Sequence, residues 1–211
     1  MKILAYISAA FALLPAIMGF IKFRSATNAF RLIIIYFLIA LIIEAVSSFM
    51  GYYKMNNNFV GDVFYIVEGI FLIGFFYLLY DESEFLVPAF IIGLAYISYG
   101  LYTSLIDPGP AVYNPVFRAA ESLLVQALAA YALIRLSKVE GIEPAKHPGF
   151  WLSTGFFIYF SVNITVFLTA KVLFGNNVPL MKSTWFIHSF TNIMVNIIFA
   201  YALLCIPSKN R

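Results

Sequence analysis

Three polar residues stand at four-residue steps in the stretch Trp185 to Tyr201, WFIHSFTNIMVNIIFAY: His188, Asn192 and Asn196. An α-helix turns once every ~3.6 residues, so this spacing puts all three near one side. The rest of the stretch is apolar enough to sit in hydrocarbon, where polar side chains are costly. That side is therefore expected to face protein or a wet cavity rather than lipid. Other apolar runs carry polar groups of their own: Glu44 in IIEAVSSF, Glu68, Glu121 in RAAESLLVQ, and Tyr159 one turn before Asn163. Three carboxylates and a histidine can bind a cation or pass protons, because their ionisation depends on burial and on one another. The candidate ligand-binding set is Glu44, Glu68, Glu121, Tyr159, Asn163, His188 and Asn192. A metal, if one is held, would fall to Glu44, Glu68 and His188, since carboxylate and imidazole are common ligands. No residue is assigned a catalytic role, and no cofactor is implied.

Each candidate has a plain structural reading beside the functional one. Glu44 can be a protonated acid bonded to a neighbouring helix. Glu121 can pair with Arg118 three residues before it, on one helix face. Asp62 can be a first-turn acid near a positive helix end, whereas Glu68 sits too deep for that. His147, in the longest and most charged connection, SKVEGIEPAKHPG, reads as an exposed loop histidine. Cys205 is the lone cysteine, which rules out an internal disulfide and reads as a small buried hydrophobe.

The elements that must position these groups follow from composition. The 211 residues are 63% hydrophobic and only 11% charged, with mean hydropathy +0.91. A soluble domain carries far more charge. Runs of ~20 apolar residues suffice to cross a bilayer, and seven are expected: about 3–21, 30–50, 59–80, 85–105, 116–136, 150–173 and 184–206. The fold class is thus an all-α seven-transmembrane helix bundle, a single domain over residues 1–211. Pro15 should bend the first helix, while Pro88 is expected in the first turn of the fourth, where proline is tolerated. No basic patch interleaves with aromatics, so nucleic acid is not a partner. The expected partners are the lipid bilayer, a small-molecule or cation ligand, and a cytoplasmic or membrane signalling protein.

Lys and Arg set the orientation. With seven spans, Lys22, Arg24, Arg31, Arg135, Lys138, Lys146, Lys209 and Arg211 fall on one side, and Lys2, Lys54, Arg118, Lys171 and Lys182 on the other. The richer side belongs in the cytoplasm, which puts the N-terminus outside, the C-terminus inside, and favours an uncleaved first helix. In that frame Glu44, Glu68, Glu121 and His188 all lie roughly 6–12 Å below the outer boundary, at ~1.5 Å per residue. Asn163 and Asn192 lie somewhat deeper. A shared depth points to one polar pocket opening outward.

The segments PGFWLSTGFFIYFS and WFIHSFTNIMVNI resemble a family of small uncharacterised bacterial seven-helix integral membrane proteins. The resemblance implies location in a bacterial inner membrane but no activity. Other seven-helix plans fit less well. Zinc-dependent membrane hydrolases use several histidines, and here only His188 lies within a span. Retinal proteins need a lysine in the last helix, and residues 184–206 contain none. Small sugar transporters share the length and a plain fourth helix, but their Pro-Gln signature is missing. The expected function is a receptor-like or sensory protein with a small ligand or cation in an outer pocket. The alternative is a proton-coupled or cation-coupled small-molecule transporter using Glu44, Glu68 and Glu121, and a membrane-embedded metal-dependent hydrolase stands third.

Overall fold

The computed structural model of the chain describes residues 2–55, 58–80, 83–102, 115–139, 143–173 and 178–207. Helices are the only regular structure among them. They are α1 (Lys2–Phe11), α2 (Leu13–Lys22), α3 (Asn28–Tyr52), α4 (Asn58–Leu79), α5 (Ser83–Leu101), α6 (Pro115–Lys138), α7 (Pro148–Leu173) and α8 (Val178–Leu204), with one short 3₁₀ turn at Pro144–Lys146. The expected turn DPGPAVYNP up to residue 114, the Asn-rich and acidic connections at 56–57 and 81–82, the segment 174–177 and the last four residues lie outside the described residues. So do the side chains of Asp62, Lys171 and Lys182.

Proline chemistry explains most of the boundaries. Pro15 has no N–H to give Phe11, and the first rod is interrupted there, between α1 and α2 at Ala12. Pro115 and Pro148 open α6 and α7, where a missing N–H costs nothing. Pro88 departs from expectation. The helix starts earlier, at Ser83, so Pro88 lies inside α5 rather than in its first turn. Where α3 ends, Lys54 takes a left-handed backbone (φ 56°) and the Met55 N–H reaches back to Met50, a glycine-type stop made without glycine.

Four helical stretches are long and apolar enough to cross a membrane: Asn28–Tyr52, Arg118–Lys138, Pro148–Val166 and Ser183–Leu204. Tyr6–Lys22 and Val63–Leu79 are shorter apolar helices. Large apolar side chains such as Ile3, Phe20, Ile42, Ile91 and Phe186 stand exposed around the bundle. Water would penalise such a belt and lipid does not. The chain is a helical membrane protein.

The helices pack as a ring. α2 lies on α3, α3 on α4, α4 on α6, α6 on α7, α7 on α8, and α8 returns to α1 and α2. α5 is held against α4 and α6. The two ends of the ring differ. Buried apolar residues gather where α2, α4, α6 and α8 finish and where α3 and α7 begin: Ile33, Ile34, Phe75, Phe76, Ala132, Leu152, Phe156 and Leu203 among them. Phe37, Phe156 and Phe199 interlock there, with ring centroids 4.7–6.5 Å apart. Lys22 ties that end shut, its Nζ donating to the Ile206 carbonyl at 2.7 Å. At the opposite end the described residues form a smaller apolar cluster, Ile66 and Tyr96 packed with Tyr65 and Ile97.

Candidate functional site

A cavity of about 240 Å³ occupies the less packed end and reaches the middle of the bundle. Six helices line it: α2 (Pro15), α3 (Tyr36 to Ser47), α4 (Gly61 to Glu68), α6 (Arg118), α7 (Phe156 to Val166) and α8 (Trp185 to Phe199). Of the sequence candidates, Glu44, Glu68, Tyr159, His188 and Asn192 are on its wall, as is Asn196. Glu121 and Asn163 are not on the wall; each stands directly behind it.

α8 supplies the polar face, and its neighbours hold it in place. His188 Nδ1 lies 3.0 Å from Asn163 Oδ1 on α7. The amide oxygen can only accept, so Nδ1 donates and Nε2 is left as the acceptor nitrogen. Trp185 stands edge-on to the same imidazole at 5.6 Å, and the Tyr159 ring lies 6.1 Å away. One turn on, Asn192 Nδ2 donates to Ser8 Oγ at 2.8 Å, tying α8 to α1. Asn196 Nδ2 donates to the Asn192 carbonyl at 2.8 Å and to its Oδ1 at 3.2 Å. The three residues form a ladder along one side of α8, and every rung has a protein partner.

The acids sit in three different environments. Glu68 is 3% exposed and accepts a short hydrogen bond from the Tyr36 hydroxyl across the α3–α4 interface. Glu121 is 1% exposed and faces the Tyr96 hydroxyl. Gly69 makes room for that pair: a Cβ there would come within 3.0 Å of Tyr96 Cε1 and 3.7 Å of Glu121 Oε1. Glu44 is exposed on the cavity wall, with Ser47 about one turn on. Arg118, read from sequence as the i, i+3 partner of Glu121, spreads its guanidinium over the Tyr65 ring, 4.0 Å from the centroid. From there its charge acts on both Glu68 and Glu121.

Among the described residues no three His, Cys, Asp or Glu side chains are grouped so as to hold a metal ion. Glu44, Glu68 and His188 share the cavity without forming such a group. What the walls offer is a guanidinium, carboxylates, an imidazole, two amides and several aromatic faces.

Sequence reasoning gives Ser8 no role, counts Tyr36 only among the aromatics that could line a ligand site, and gives Arg118 only its local partner. Tyr36 is one of fourteen tyrosines, Ser8 lies in an unremarkable apolar run, and Arg118 has a nearer local partner in Glu121. Only the pairing of helices reveals their roles. His147 corrects a second expectation. It is half-buried, and its Nδ1 accepts the Gly149 N–H at 3.1 Å, capping the start of α7. Burial holds its pKa below the ordinary 6.5, which suits a neutral acceptor.

No protein-family model matches the chain, and neither curated proteins nor solved structures give a match.

Proposed function

We propose that this is a receptor-like membrane protein of seven spans, N-terminus outside and C-terminus in the cytoplasm, which takes a small ligand into the cavity from the outer side. One observation carries the reading: five helices converge polar and charged groups on one hollow, while the other end of the same bundle is packed with phenylalanine. Purely structural hydrogen bonds need no common void. Movement of the ring helices would pass to a partner through residues 137–149. Two contacts couple that segment to α7: Trp151 Nε1 donates to the Ala145 carbonyl at 2.7 Å, and His147 caps the helix.

A proton-coupled or cation-coupled carrier is the second reading, favoured by the Tyr36–Glu68 hydrogen bond on the cavity wall. A carrier must open the site alternately to both faces, and the interlocked Phe37, Phe156 and Phe199 oppose this. Cysteine accessibility separates the two. In a Cys205→Ser background, Ala40→Cys places a thiol on the cavity wall. A receptor predicts labelling by an impermeant maleimide in intact cells and none in inside-out vesicles. Labelling from both faces supports the carrier, and labelling only from inside-out vesicles contradicts the proposed orientation.

A further inference from the structure

We infer that the occupant of the cavity is a small organic cation, an ammonium group on a compact aromatic or apolar body. This rests on the ligand-binding reading above and specifies it. The argument begins with charge. Glu44 and Glu68 line the cavity, Glu121 stands behind it, and among the described residues the one cationic side chain on the wall is Arg118. Arg118 is already engaged by the Tyr65 ring and acts on Glu68 and Glu121. Glu44 has no Lys or Arg partner among the described residues, although it lies within a helix apolar enough to span the bilayer. A carboxylate at such a depth is stabilised by an incoming positive charge.

The walls decide which kind of cation. A bare Na⁺ or Ca²⁺ requires a cage of about six or more oxygens. Here no three of the described acidic or histidine side chains group as metal ligands, and the lining is rich in rings, including Phe37, Tyr159 and Trp185. Aromatic faces attract an organic ammonium and pack against its hydrocarbon body. The cavity volume is about 240 Å³. It falls below the ~300–1,000 Å³ of drug-sized sites. One ring with a short aminoalkyl arm fits that space.

The test uses the full chain with Trp151→Phe in phosphatidylglycerol nanodiscs, which leaves Trp185, on the cavity wall, as the only tryptophan. Titration with 2-phenylethylammonium should change Trp185 fluorescence saturably. The neutral isostere 2-phenylethanol and the anion phenylacetate should bind at least tenfold more weakly. Glu44→Gln should weaken the ammonium at least tenfold, and because Glu44 is exposed this change leaves folding intact. Calorimetry on the unsubstituted chain should give the same ranking. Equal binding of all three compounds, or indifference to Glu44→Gln, overturns the cation assignment and leaves the pocket reading standing. No saturable binding of any of the three overturns both. Phosphatidylethanolamine nanodiscs identify the source. With about 0.5 M NaCl in both discs to screen the lipid surface charge, weaker binding there assigns the ammonium to a lipid headgroup, and unchanged binding assigns it to a free amine; each supports ammonium recognition.

Discussion

His188 Nδ1 and Asn163 Oδ1 meet at 3.0 Å between α8 and α7, so the orientation of the cavity's imidazole is set by a residue that does not itself line the cavity. Asn163 is 3% exposed and no water can replace it cheaply. Asn163→Leu strips the ring of its acceptor. The expected cost is about 0.5–1.5 kcal/mol, in the range of interhelical hydrogen bonds in membranes. Thermal unfolding in detergent should show a lowered Tm, and ligand binding at the cavity should fall more than stability does.

The Tyr36–Glu68 contact joins α3 to α4 at a buried position. Tyr36→Phe leaves the Glu68 carboxyl without its donor and should destabilise by about 1–3 kcal/mol. Glu68→Gln changes the same bond from the other side. A double-mutant cycle should therefore show coupling of at least ~0.5 kcal/mol. Additive losses would mean that the two side chains act independently.

Gly155 is where α7 presses on α8. A Cβ there would clash with Phe199 Cε1 and lie 2.8 Å from Cδ1. Phe199 also packs on Phe37 and Phe156, so moving its ring disturbs both contacts. Gly155→Ala should cost about 1–3 kcal/mol by overpacking, against the usual gain in helix propensity. Gly51, with nothing within 4 Å of its would-be Cβ, is the control: Gly51→Ala should be neutral or stabilising.

His147 gives a pH signature outside the spans. Its folded pKa lies below the ordinary 6.5 because of burial. Above 6.5 the ring is neutral folded and unfolded alike. As pH falls below 6.5, the unfolded chain takes the proton first, so stability is lost from there downward until the folded ring protonates too. Unfolding measured between pH 7.5 and 5 should show this slope. His147→Asn keeps an acceptor for the Gly149 N–H and removes the titration, so the slope should flatten. His147→Ala should lose about 1 kcal/mol at neutral pH as well.

Local rules carry some of these features and not others. The length of the apolar runs and the prolines at 15, 115 and 148 mark helix positions, because a missing N–H acts within four residues along the chain. The four-residue rhythm of His188, Asn192 and Asn196 marks a polar face for the same reason, and all three line the cavity. Which face meets which is not local. Tyr36 finds Glu68 across 32 positions, and Ser8 finds Asn192 across 184. Nothing in the spacing of either pair signals it. Arg118 shows how far the local rule reaches: its charge acts on Glu121, three residues on, but also on Glu68 of α4, and its guanidinium lies over Tyr65 of the same helix. His147 is misread for a related reason. Loop composition suggests exposure, while the following Pro148 starts a helix whose N–H groups need an acceptor.

Hydroxyl-radical footprinting of the purified full chain tests most directly whether the polar groups share a wet hollow, because oxidation requires water beside the side chain. Tyr159, half-buried on the cavity wall, should be oxidised more slowly than the exposed Tyr52 but clearly above background, while Phe75 and Phe76, at the packed end, should stay unmodified. Tyr159 as inert as Phe75 and Phe76 would contradict the account, leaving a helical membrane protein whose buried polar groups serve only its packing.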